Sequence, residues 1–205
     1  MSEAALALEP GQVRAGALVL SRAFFDDPFY CFTIPDVKRR KRILPWLFER
    51  IIRYAQCYGK VLTTPALEGV AVWLGPAYPA IRLVGALRTE LALLPLHLRP
   101  REWLYSLRLS ELADRLHRRA AQGAHWYLLS LGGEPGQKGK GVGQALLQPL
   151  LAQADREKAF CYLDTNNMEN LRFYERFGFA VVSQGHAIPG GPHTWGMRRQ
   201  ASDVL

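Results

Sequence analysis

The sequence predicts an α+β domain built on a mixed sheet, and three observations carry that expectation. From about residue 124 onward the pattern runs strand, glycine loop, helix, strand, helix, strand, strand. Ahead of it, two stretches with apolar residues at helical spacing lead into a pair of β-rich runs. The chain has 205 residues, 49% hydrophobic and 21% charged, which suits one domain over 1–205 and excludes wholesale disorder.

Taken in order, Ala4 to Leu8 reads as a short strand closed by Pro10-Gly11. Val13, Ala17, Leu20 and Phe24 place a helix over Gln12 to Phe25. Asp26-Asp27-Pro28 stops it, because the residue before a proline is driven out of the α region, and a polar and aromatic loop follows to Pro35-Asp36. Leu44, Leu47, Phe48, Ile51, Ala55 and Tyr58 share one face of a helix over Val37 to Tyr58, with a kink or a fresh start at Pro45 and Gly59 at its end. Lys60 to Thr64 and Gly69 to Leu74 read as strands around a turn near Pro65-Ala66.

Between about residues 76 and 123, prolines divide two helical pieces, Ala80 to Leu94 and Arg101 to Ala121. Neither can bury its own apolar face, so the segment reads as a helical insertion before the central strand. That strand, His125 to Leu131, is almost wholly apolar or aromatic, as in a strand buried on both faces. Gly141 to Glu157 then reads as a helix with Pro149 as an irregularity, and Phe160 to Leu163 as a strand. Met168 to Arg176 is a short helix ended at Gly178, and Ala180 to His186 and Thr194 to Arg199 are the closing strands.

Lysine and arginine number 26 and aspartate and glutamate 18, a formal charge of +8. Such a surplus favours anionic partners without choosing between a polyanionic cofactor, nucleic acid and lipid. Cys31, Cys57 and Cys161 lie far apart, as in reduced thiols of a cytoplasmic protein. The opening MSEAALALEP argues against a signal peptide, and no apolar run approaches the ~20 residues of a bilayer span, so no membrane partner is expected. The basic runs Arg39-Arg40-Lys41-Arg42 and Arg115 to Arg119 read as solvated helix faces, against nucleic-acid binding. No zinc-ligand spacing occurs, and no metal is expected.

The most informative segment is Glu134 to Gln144, with Gly136, Gly139, Gly141 and Gly143 between a strand and a helix. Bare backbone amides can converge on a phosphate there, the helix start adds roughly +0.5 of partial charge, and Lys138 and Lys140 add formal charge. A flexible surface turn is the other reading of the same letters. The P-loop pattern lacks its hydroxyl residue, and Gln144 or Leu146 stands where the dinucleotide fingerprint needs its third glycine.

Lys138-Gly139-Lys140-Gly141-Val142-Gly143, three residues after Pro135, resembles the pyrophosphate loop (Q/R)-x-x-G-x-(G/A) of the GNAT superfamily, the N-acyltransferases that use acyl-coenzyme A. Lys138 stands where Gln or Arg is usual, and Gly133 where Val or Ile is usual. Asn167 to Phe179 resembles the later motif N-x-x-(A/N)-x-x-(F/L)-Y-E-x-x-G-F. Together they cover about residues 125–180, in a layout similar to puromycin N-acetyltransferase-like members, with Gly191-Pro192-His193-Thr194-Trp195 as a weaker echo.

The resemblance implies a mixed, mostly antiparallel sheet, splayed at a cofactor cleft and flanked by helices, with a cofactor-binding core over about 124–180. It implies acetyl-coenzyme A as cofactor and acetyl transfer by direct attack to a primary amine of a small molecule or peptide. Leu131, Gly132, Gly133, Lys138, Gly139, Lys140, Gly141, Val142, Gly143, Asn167, Asn170 and Tyr174 would hold the cofactor, and Tyr174 would protonate its sulfur. Tyr174 reads otherwise as core beside Phe173, Phe177 and Phe179, and Asn167 and Asn170 as helix caps.

The general base is not visible, since His125 to Ser130 carries no carboxylate. Asp26 and Asp27 occupy a loop that borders the acceptor pocket in the family, so either can bind or deprotonate an amine, with Asp27 taken as catalytic. Helix termination is their other reading. Tyr30, Trp126 and Trp195, with Phe32 and Tyr105, form either an aromatic acceptor wall or part of the core. His125, His193 and a water relay stay open as routes for the proton. A non-catalytic acyl-coenzyme A sensor or scaffold, as monomer or homodimer, is the alternative to the enzyme.

Overall fold

The computed structural model describes residues 5–202. The N-terminal strand expected from Ala4 is β1, Leu6–Ala7, with Ala4 itself outside the described residues. A 3₁₀ turn leads into α1 (Val13–Ala23), which buries Val13, Ala17 and Leu20 as its spacing predicts. The stretch after Asp27 is not a loop but a six-residue helix, α2 (Pro28–Thr33). Asp27 caps it by accepting the Phe29 amide at 2.9 Å, and Pro28 occupies the first turn, where a missing N–H costs nothing. The pair that ends one helix thus begins the next.

Helix α3 (Val37–Tyr58) runs through Pro45 without a break, capped by Asp36 on the Arg39 amide. Its apolar face, Leu44, Phe48, Ile52 and Ala55, is wholly buried, and that packing outweighs one missing helical hydrogen bond. Strands β2 (Gly59–Thr63) and β3 (Gly69–Leu74) follow as an antiparallel hairpin. The first inserted piece is broken where one helix was expected. Helix α4 (Leu83–Arg88) stops at Thr89, Glu90 turns left-handed at φ 60, and α5 (Leu94–His97) restarts around Pro95. Helix α6 (Pro100–Ala120) is continuous.

The second half supplies β4 (Trp126–Gly133), α7 (Val142–Arg156), β5 (Cys161–Thr165), α8 (Glu169–Glu175), β6 (Ala180–His186) and β7 (His193–Arg199). Among the described residues, seven strands form one sheet in the order β1-β2-β3-β4-β5-β7-β6. Only β4 and β5 run parallel among the described residues. Strand alternation divides the core. Val70, Val72 and Leu74 face α1 and α3, while Ala71 and Trp73 face α7. Helix α6 lies on the α1 side, where His117 stacks on Tyr162 of β5 at 4.5 Å.

The sheet forks in its middle. Strands β4 and β5 pair only over Trp126↔Cys161, Tyr127↔Tyr162 and Leu128↔Leu163. Past Leu128 the register of β4 against β3 slips by one residue, so Leu129 is an extra residue in a bulge that bends β4. Beyond it β4 continues to Gly133 and β5 to Thr165 without pairing to each other. Helix α1 leans on the β4 tine at Gly132, where an added Cβ would stand 2.7 Å from Cβ of Ala23. Gly132→Ala is therefore expected to cost about 1–3 kcal/mol by overpacking, read as a lower denaturant midpoint with an unchanged slope.

Candidate active site

The fork is where the two motifs and the first loop meet. The Glu134 amide donates to Glu68 O on the β3 side at 2.7 Å. Antiparallel alternation then turns the amides of Gly132 toward β3 and those of Leu131 and Gly133 into the gap. Leu131 thus presents an amide where a carbonyl can be polarised. Gly132, expected among the cofactor ligands, belongs to the sheet and to the α1 contact instead.

The glycine loop closes the mouth of the gap. The amides of Lys138 and Lys140 turn inward to Pro135 O and Gln137 O, at 3.4 and 3.2 Å. Gly139 and Gly141 both adopt φ +84, with no atom within 4 Å of a would-be Cβ. Among the described residues the amides of Gly139, Gly141, Val142 and Gly143 have no intrachain partner, and no side chain caps α7. Four outward amides at a helix start, with the Lys138 and Lys140 side chains exposed beside them, suit a diphosphate. The Lys138 ammonium lies 3.4 Å from Glu169 on α8. The loop is seated on glycines. Gly69 and Gly133, opposite each other in β3 and β4, leave room for Val142, and Gly143 leaves room for the Phe173 ring.

Tyr174 projects from α8 among Phe173 and Phe179, with ring centroids at 5.1 and 5.9 Å, and is 7% exposed. Burial and then the nearby charge of Asp27 push its phenol above the ordinary range, so it holds its proton at neutral pH. Asp27 comes from the other face of the sheet, at the end of α1. Burial pushes its carboxyl up to about 6, against the hydrogen bond from Phe29. Its charge acts on Tyr30 as well as on Tyr174, so residues 27, 30 and 174 lie within electrostatic reach of one another.

Asp26 is exposed, 3.9 Å from Arg40. Tyr30 packs against Phe24, Phe29 and Phe48, and Phe32 stacks on Tyr105 of α6 at 5.1 Å. Trp126 is no acceptor wall. It is buried at the closed end of the fork, its indole N–H donating to Glu157 at 2.8 Å. Trp195 alternates with Met197 onto the α7 face and lies against His193, whose ring bonds His186 at 2.7 Å. His125 is buried between Gly123 O and His117. Asn167 caps α8 through the Glu169 amide at 3.0 Å, and Asn170 reaches Thr165 at 3.3 Å. The first basic run is no free patch, since Arg39 grips Glu102 with two nitrogens and Arg40 is buried on Ile34 O.

Asp164 is not singled out by sequence, its one signal being a lone carboxylate within β5. It accepts from Tyr127 at 3.0 Å and Tyr162 at 2.8 Å. Among the described residues no group of three or more His, Cys, Asp and Glu is placed to hold a metal. No described helix is long and apolar enough to cross a membrane.

The Acetyltransferase (GNAT) family model matches residues 106–179. An uncharacterized N-acetyltransferase of Schizosaccharomyces pombe is 31% identical over 186 residues, covering 86% of this chain and 74% of that protein. A Corynebacterium glutamicum structure described as histone acetyltransferase HPA2 and related acetyltransferase superposes with TM-score 0.67 at 22% identity, covering 98% of each chain. Arylalkylamine N-acetyltransferase 2 of Aedes aegypti superposes with TM-score 0.61 at 12% identity, covering 97% of this chain and 98% of that one. With a strand fork, an open-amide loop at its mouth and a relative of this identity and coverage, the chain belongs to the GNAT family of acetyltransferases, which generally draw their acyl group from acetyl-coenzyme A.

Proposed function

We propose that the chain acts as one domain that transfers acetyl from acetyl-coenzyme A to a primary amine of a small molecule or peptide by direct attack. The observation that carries this reading is the early parting of β4 and β5 with the unpartnered amides of Gly139, Gly141, Val142 and Gly143 beside it, and the charge of Asp27 reaches the Tyr174 phenol. Bound there, acetyl-coenzyme A supplies the reactive thioester and a diphosphate that suits the loop. The Leu131 amide orients the carbonyl oxygen and stabilises charge that develops on it.

An amine reaches the site as an ammonium ion and must lose a proton before it attacks. A carboxylate at about 6 is ionised at neutral pH yet basic enough to take that proton, which suits Asp27. The proton then passes to water. Tyr174 Oη, held neutral by burial, donates toward the departing sulfur, and the second proton shed by nitrogen replaces it. Holding both partners in one gap can contribute up to ~7–11 kcal/mol in ideal cases. Phe29, Tyr30 and Phe32 on α2, with Tyr105 opposite, favour an amine on an apolar or aromatic body. The arylalkylamine enzyme among the structural neighbours points the same way.

Thiol release across a panel of amines tests the reading, and coenzyme A binding without release from any of them would leave a sensor. Tyr174→Phe is expected to lower kcat by ~10²-fold with coenzyme A affinity nearly unchanged in calorimetry. Because the folded pKa of Asp27 is raised, its base form is lost as pH falls through about 6, so kcat/KM should drop along that limb. Asp27→Asn should remove the limb and cost ~10²–10⁴-fold in rate. Gly141→Val forces φ +84 on a branched residue and should weaken coenzyme A binding at least tenfold by calorimetry, an unaltered affinity counting against the loop.

A further inference from the structure

Asp164 stands at the crotch of the fork, one residue past the last rung, Leu128↔Leu163. Its two oxygens are bonded from two different strands. Oδ2 accepts from Tyr127 of β4, and Oδ1 from Tyr162 of its own strand. The Tyr127 bond therefore spans the two tines at the level where the backbone ladder has just ended.

The surroundings hold this unit in place. From α6, His117 lies parallel to Tyr162 at 4.5 Å and 4.6 Å from Tyr127, and His125 fixes it at 2.7 Å. Asp114, also on α6 and itself beside Arg118 and Glu111, adds its charge to the same carboxyl. From β6, Ser183 Oγ lies with the Tyr162 hydroxyl over Gly196 of β7, where a side chain would collide with both. Among the described residues no lysine or arginine pairs with Asp164. A buried carboxylate without a cation costs stability, and an apolar residue would fill the place without that penalty. What the carboxylate adds is the bond across the fork.

We propose that Asp164 is a positioning residue for acyl transfer: bonded to Tyr127 across the gap, it sets how far β4 and β5 stand apart where the thioester must lie against the Leu131 amide. The inference rests on the acyl-transfer reading above. It has a signature in pH that a packing residue lacks. Burial pushes Asp164 up to about 7, and the two tyrosine bonds oppose the shift. Protonation turns one acceptor oxygen into a hydroxyl donor, so the clamp is tight above that pH and slack below. Stability moves the other way. A carboxyl whose folded pKa is raised contributes stability below its ordinary range and loses it as pH rises through about 7.

The test compares the full chain with Tyr127→Phe, which deletes the cross-strand bond and keeps the ring, and with Asp164→Asn, which deletes the charge. Both should melt cooperatively, Asp164→Asn at or above the wild-type Tm at pH 8. Hydrogen exchange over residues 129–133 should quicken several-fold in each at that pH. With an amine accepted by the wild type, kcat should fall about tenfold or more, because small misplacements of reacting atoms are costly. A step in kcat near pH 7 should vanish in Asp164→Asn and persist in Asp27→Asn. Wild-type exchange over 129–133 in both variants, or an unchanged kcat and pH step in Asp164→Asn, would overturn the proposal. If the wild type binds coenzyme A but acetylates no amine, only the acyl-transfer reading falls; the exchange comparison, with coenzyme A affinity in place of kcat, still decides the clamp.

Discussion

Everything in this protein that bears on chemistry depends on a backbone ladder that stops early. Parallel strands β4 and β5 share three rungs and then part, so the Leu131 amide has no strand partner on one side. In an ordinary sheet such a group would be an aggregation hazard or a buried penalty. Here α1 packs on the β4 tine at Gly132 and the first turn of α7 packs on it at Gly133. The bulge at Leu129 provides the bend, and the glycines at 69, 132 and 133 let the two helices come close.

Two faces of the sheet thereby contribute to one place. Tyr174 belongs to the α7 core, while Asp27 and Asp164 belong to the layer of α1, α3 and α6. Ordinary sheet construction would keep them apart. The opening lets a phenol from beneath and a carboxylate from above come within electrostatic reach, and it raises both above their usual values by excluding water. The same exclusion pushes the Asp164 carboxyl up to about 7.

What was legible in the sequence was local. The loop of residues 138–143 and the run from Asn167 to Phe179 declare themselves because glycine conformations and helix starts are set by neighbours in the chain. Asp27 is legible as a loop carboxylate, but Asp-Pro signals a helix start as much as a stop, and the letters alone do not separate the loop from α2. Trp126 was misplaced because nothing near it in sequence reveals Glu157, which holds its indole. Asp164 stayed hidden because its meaning comes from Tyr127, 37 positions away, and from the level at which two strands part. Such pairings are non-local, and periodicity carries no trace of them.

One consequence follows from the glycine floor under Val142. Because Gly69 and Gly133 face each other in the β3–β4 ladder and seat the first turn of α7, hairpin register and anion-site location are a single variable. A one-residue slip would exchange glycine for a side chain beneath Val142 and lift the outward amides off their seat. Strand alignment and the seating of α7 are thus coupled, and a misaligned hairpin displaces the loop amides proposed to hold phosphate.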